Sequence, residues 1–126
     1  MWEAKLIEWF KKNQRQMPWR SHPSPYATLV SEFMAQQTQI ATVIPYFLDF
    51  TRRWPDVASL AAAPLDDVMA AWAGLGYYAR ARNLHKAARQ LVAYNDGQLP
   101  RDPLALQRLP GIGPYTAGAI TARSEE

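Results

Sequence analysis

Glu32 is the only carboxylate between Trp9 and Leu48, and it lies in the run Leu29-Val30-Ser31-Glu32-Phe33-Met34-Ala35. A carboxyl group in apolar company has its neutral form favoured by desolvation, which keeps a general acid protonated near neutral pH. The plainer alternative is a solvated glutamate on the polar side of a helix, beside Ser31. Just beyond it, Gln36-Gln37-Thr38-Gln39 concentrates donors and acceptors that match base edges, or that satisfy the carbonyls of a helix end. A third feature is the string Leu109-Pro110-Gly111-Ile112-Gly113-Pro114-Tyr115-Thr116-Ala117-Gly118. Two glycines one residue apart permit a tight turn between helices, and the N–H groups opening the second helix form an anion site matched to phosphate. A plain helix–turn–helix is the weaker reading of so specific a string. Basic side chains gather between Ala79 and Arg101, where Arg80, Arg82, Lys86, Arg89 and Arg101 face Asp96 alone. The preceding stretch from Trp54 to Gly76 carries only Asp56, Asp66 and Asp67. Such asymmetry fits a polyanionic partner, or a solvated helix face.

The composition narrows the chemistry. The chain has 126 residues, room for one domain, with 48% hydrophobic and 20% charged residues and a net charge of +3; that is the composition of a packed core. It contains no cysteine and two histidines, His22 and His85. Disulfides, thiolate catalysis, zinc fingers and iron–sulfur ligation within this chain are thereby excluded, and a usual zinc site lacks ligands. No apolar stretch approaches the length of a membrane span, and the charged N-terminus does not read as a signal peptide. The expectation is a soluble intracellular protein whose chemistry comes from carboxylates, hydroxyls, amines or backbone.

The elements that position these groups read as helices throughout. Residues 2–13 place Trp2, Leu6, Trp9 and Phe10 on one face. After a proline-rich turn, Ser24 and Pro25 open a second helix over 25–37. A third spans 39–53 with Pro45 bending its first half. Pro55 and Pro64 introduce short helices over 57–62 and 65–75. Tyr77, Tyr78, Ala81, Leu84, Ala88 and Leu91 form the apolar stripe of a sixth helix, whose other faces carry the bases and which Asn95-Asp96-Gly97 ends. A short helix over 104–108 leads into the glycine turn, and Pro114 begins the last, to about residue 123. No alternating pattern of strand length occurs. The fold class is all-α.

Four strings, MPWR, SEFMAQQTQIATVIPYF, GLGYYARARNLHKAA and LPGIGPYTAGAI, resemble in order and spacing the adenine DNA glycosylases of the MutY type, within the helix-hairpin-helix base-excision superfamily. The resemblance runs from about Leu6 to Ile120. It implies a six-helix barrel domain over 23–126, with a helix-hairpin-helix at about 103–123, preceded by an N-terminal helix and linker over 1–22 that in relatives packs on a C-terminal half. It implies double-stranded DNA with an A:8-oxoguanine or A:G mispair as partner, and hydrolysis of the N-glycosidic bond of an adenine flipped out of the stack. By the same resemblance Glu32 is the general acid and Tyr115 the hydroxyl that assists it. Trp19 and Arg20 match adenine-pocket positions. Gln37 and Tyr77 look like the wedge that fills the stack, and Thr38 and Leu75 like contacts to the oxidised guanine. Gly111 and Gly113, with Arg80, Arg82 and Lys86, hold DNA phosphate.

The chain also departs from that pattern. The family continues past the position of Ile120 to an aspartate that stabilises the cationic sugar, to the cysteines of a 4Fe–4S cluster, and to a C-terminal domain; here the sequence ends in TARSEE. The expectation is a truncated form, weakly active or inactive, with no cofactor in this chain, acting as a monomer in a bacterial cytoplasm at the nucleoid. Two alternatives stand beside it: a non-catalytic DNA-binding fragment, and an endonuclease-III-like pyrimidine-lesion glycosylase/lyase. The second needs a Schiff-base lysine where this chain has Tyr115.

Overall fold

The computed structural model describes residues 25–36 and 38–124, with side chains described as far as residue 121. The expected first helix, its linker with Trp19 and Arg20, and Gln37 lie outside the described residues. Seven helices follow in order: α1 (Pro25–Ala35), α2 (Ile40–Arg53), α3 (Val57–Ala62), α4 (Leu65–Trp72), α5 (Ala79–Asn95), α6 (Pro103–Leu106) and α7 (Pro114–Ser124). Among the described residues there is no strand.

Local chemistry accounts for most boundaries. Asp56 caps α3 through a complete capping box: its carboxylate accepts from the Ser59 N–H (2.8 Å), while the Ser59 hydroxyl receives the Asp56 N–H (3.2 Å). Asp102 caps α6 by accepting from the Leu104 N–H (3.1 Å). Helix α5 ends where Asp96 and Gly97 enter the left-handed region (φ 53° and 74°), and the Gly97 N–H returns to the Leu91 carbonyl (2.8 Å). Pro45 lies inside α2, which continues through it.

The core forms where α1, α2, α4, α5 and α7 converge. Trp72, Phe33, Phe50, Leu29, Met34 and Leu84 are among its largest fully buried side chains, each contributing about 1.5–3 kcal/mol by leaving water. Phe50 meets Trp72 edge-on (centroids 6.0 Å apart) and Trp54 likewise (4.9 Å). Helix α5 packs along α3, and His85 is spent there: it is buried and donates from Nε2 to the Ala63 carbonyl (2.8 Å).

Three expectations change. Helices α1 and α4 stop at Ala35 and Trp72, short of 37 and 75. Tyr77 and Tyr78 do not join the buried stripe of α5. They precede it in a loop, 61% and 43% exposed, because Gly74, Gly76 and Tyr77 all adopt positive φ and turn the chain outward.

Candidate active site

Helix α1 is nearly enveloped. From Tyr26 to Met34 every residue except Glu32 is buried. Ser31 is buried too, its hydroxyl donating to the Thr28 carbonyl (2.9 Å), so the reading of Glu32 as one of a polar stripe beside Ser31 does not hold. Glu32 is half-buried, the one position from Tyr26 to Met34 that is not enclosed.

Helix α7 packs directly against α1. Gln36, just past the end of α1, donates to the Thr116 hydroxyl (3.3 Å), and Thr116 is buried on the first turn of α7. The neighbouring Tyr115 points outward, 82% exposed. The hairpin before it is held tightly. Gly111 has φ +79°, and a Cβ there would stand 3.0 Å from Phe33 Cε1 on α1 and 3.0 Å from Asn83 Cβ on α5. Gly113 has open space around it. The first intrahelical bond of α7 runs from the Ala117 N–H to the Gly113 carbonyl (3.0 Å). The N–H groups of Gly113, Tyr115 and Thr116 therefore have no acceptor inside the helix, and they carry its positive dipole end.

On α5, Arg82, Lys86 and Arg89 are exposed at helical spacing, and Lys86 lies one turn from Asn83, the residue beneath Gly111. Arg80 corrects the expectation of a phosphate ligand. It is 7% exposed, and its guanidinium is spent inside the protein. Nη1 donates to the carbonyls of Phe33 (3.1 Å), Met34 (2.7 Å) and Gln36, and Nη2 to Thr38 Oγ1 (2.9 Å), Gly76 O (3.2 Å) and Leu75 O (3.5 Å). Its Cζ lies 5.5 Å from the Trp72 ring centroid and 5.4 Å from that of Tyr77. Burial pushes its pKa down from the ordinary arginine value and Tyr77 opposes this; the group stays charged across the physiological range. Sequence reasoning missed this role, although a signal existed. Arg80 shares a face with Leu84, Ala87 and Leu91, all buried, at the spacing i, i+4, i+7, i+11.

Leu75 is likewise buried, at 6% exposure, and its carbonyl is taken up by the buried Arg80 guanidinium, which runs against its reading as a direct contact to the oxidised guanine. Thr38 is half-buried, and Tyr77 is exposed with φ +50°. The structure thus gathers Gln36, Thr38, Thr116 and the loop Leu75–Tyr77 around the end of α1, with the hairpin alongside. The chain has no cysteine, and among the described residues no group of three or more His, Cys, Asp or Glu is placed to hold a metal; these residues do not fit a thiolate-held cluster. Among the described residues no helix is long and apolar enough to cross a membrane.

The chain belongs to the HhH-GPD superfamily of base excision DNA repair proteins, whose family model matches residues 30–118. It is 44% identical over 128 residues to the adenine DNA glycosylase of Mus musculus, covering 94% of this chain and 25% of that protein. To the adenine DNA glycosylase of Buchnera aphidicola (subsp. Baizongia pistaciae) it is 43% identical over 116 residues, covering 91% of this chain and 33% of that protein. The chain therefore spans a quarter to a third of these curated relatives. Among solved structures it is similar in fold to a thermostable thymine-DNA glycosylase, with a TM-score of 0.82 at 24% identity, covering 97% of this chain and 57% of the other.

Proposed function

We propose that these residues form the base-protonating part of an adenine DNA glycosylase, acting on adenine mispaired with guanine or 8-oxoguanine in duplex DNA. The observation that carries this is Glu32, the one unburied position from Tyr26 to Met34 on α1, the helix whose Phe33 lies against Gly111 and which packs on α7 after the hairpin. The identity to adenine DNA glycosylases supports the substrate class.

In this reading the flipped adenine takes a proton on its ring from the Glu32 carboxyl. The glycosidic C–N electron pair then leaves with a neutral base and the sugar becomes oxocarbenium-like; water completes the hydrolysis. The Tyr115 hydroxyl assists Glu32, and Trp19 and Arg20 line the adenine pocket. Gln37 and the exposed Tyr77 fill the gap in the stack, with Thr38 near the opposite base; Leu75, which the resemblance puts there too, is buried behind them. The open N–H groups at Gly113 and α7, with Arg82 and Lys86, receive phosphate. The protein works as a monomer in the cytoplasm, on chromosomal DNA. A 4Fe–4S cluster, which the resemblance implies for longer relatives, finds no thiolate among these 126 residues and takes no part here.

Stabilising the cationic sugar calls for a second, ionised acid, because Glu32 must be protonated for its own step. Asp102 is engaged elsewhere, as the cap of α6. The 126-residue chain taken alone should therefore bind a mispaired duplex and turn over slowly, roughly 10²–10³-fold below a chain extended with the corresponding segment of an adenine glycosylase relative. Single-turnover kinetics on an adenine:8-oxoguanine duplex test this. Glu32→Gln should abolish cleavage in the extended chain. Retained cleavage by that variant would remove Glu32 from the mechanism, and equal affinity for mispaired and matched duplexes would remove the substrate assignment.

A further inference from the structure

Arg80 is a buried cation with no carboxylate partner among the described residues, where its charge is met by dipoles and rings. Three of its acceptors, the carbonyls of Phe33, Met34 and Gln36, lie in or just past the last turn of α1. There the carbonyls lack intrahelical donors and the helix dipole is negative. Its other terminal nitrogen reaches Thr38 and the carbonyls of Leu75 and Gly76. The fork is thus split between two segments that no regular structure joins. Among the described residues, every hydrogen bond linking 36–38 to 75–77 runs through Arg80. Its Nε has no partner, so the group is oriented for the span of its two terminal nitrogens and not for complete satisfaction.

The loop needs such a hold. Tyr77 occupies the left-handed region (φ +50°), a conformation that a tyrosine keeps only when its surroundings impose it. Its ring lies against the guanidinium, and the Trp72 indole, on the guanidinium's other contact, donates to the Gly76 carbonyl (3.2 Å).

We propose that Arg80 is a positioning residue that locks Thr38 and Tyr77 into one rigid unit, and so sets how sharply the protein distinguishes a mispaired from a matched duplex. The distinction rests on the adenine glycosylase reading above; the locking does not. Lysine cannot replace the fork, since one ammonium cannot span both sets of acceptors.

The test compares the 126-residue chain with R80K, with R82Q as the phosphate-contact control. Amide exchange by NMR should speed up together in R80K at the hydrogen-bonded amides of Thr38, Leu75 and position 80, which donate to the carbonyls of Ala35, Trp72 and Tyr77, by roughly tenfold or more, with α3 and α6 unchanged. Preference for an adenine:8-oxoguanine duplex over an adenine:thymine duplex should fall by a similar factor. The salt dependence of affinity should stay at the wild-type slope in R80K, while R82Q lowers it by about 0.9. Unchanged exchange at these three amides overturns the locking, and unchanged preference overturns its role in discrimination. A slope lowered as in R82Q would make Arg80 a phosphate contact instead. If the wild-type chain shows no preference, the glycosylase reading fails, and exchange alone decides the locking. Should R80K not fold, Thr38→Val removes one acceptor at constant shape. It should loosen residues 75–77, Thr38→Ser should restore them, and no loosening in Thr38→Val would refute the proposal.

Discussion

The two hairpin glycines separate a structural requirement from a binding one. In Gly111→Ala the new methyl must enter a left-handed conformation (φ +79°) and come within 3.0 Å of both Phe33 Cε1 and Asn83 Cβ. The backbone contributes about 1–2 kcal/mol of strain. Phe33 is fully buried and belongs to the core, so the contact cannot be relieved by a surface side chain swinging away, and overpacking adds about 1–3 kcal/mol. A loss of roughly 2–5 kcal/mol in a domain of this size lowers the Tm by roughly 6–20 °C. In Gly113→Ala nothing lies within 4 Å of the methyl, and the residue is not among the glycines of positive φ. Stability should hold or rise by about 0.4–1 kcal/mol through the unfolded chain. Its methyl instead adjoins the open N–H of residue 113 itself, so affinity for duplex DNA should fall. Thermal unfolding followed by circular dichroism, paired with a DNA titration, reads both. Equal melting of Gly111→Ala and wild type, or equal destabilisation by the two substitutions, would refute the reasoning.

Charge and capping yield further expectations. Arg82→Gln and Lys86→Gln should each lower the slope of log affinity against log salt by about 0.9 if both contact phosphate, measured by fluorescence titration between roughly 50 and 200 mM salt. Asp56→Ala removes the capping box of α3 and should cost about 0.5–2 kcal/mol in denaturant unfolding. Hydrogen bonds from the Ser59 backbone and hydroxyl hold the Asp56 carboxyl below the usual aspartate range. Its contribution is therefore complete above the unfolded pKa of about 3.9 and fades as pH falls through the lower folded value. Acid unfolding of wild type and Asp56→Ala should converge at low pH, and a constant gap between them would contradict this. Tyr26 donates its hydroxyl to the Trp54 carbonyl (2.6 Å), and burial pushes its pKa upward. Tyr26→Phe should cost about 1–3 kcal/mol by leaving that carbonyl without its donor.

Much of this protein was legible from residue order, because its signals are local. Prolines, glycines and acidic caps act on the turn in which they stand. For that reason α3 begins and ends at the expected residues, the Asn95-Asp96-Gly97 stop falls in place and the hairpin lies between α6 and α7. The apolar setting of Glu32 was readable for the same reason, since its neighbours along the helix are its neighbours in sequence. What tertiary structure alone decided concerns groups whose partners are distant in the chain. Arg80 carries the same charge as Arg82 and stands two residues away. One is folded onto carbonyls 44–47 positions earlier and a hydroxyl 42 positions earlier, and the other is exposed. Gly111 and Gly113 look alike in sequence, but only the first lies under Phe33 and Asn83. A charge or a missing Cβ has no fixed meaning until packing sets what surrounds it. Desolvation and steric exclusion depend on atoms within a few ångströms in space, and residue order does not specify those atoms for contacts this far apart.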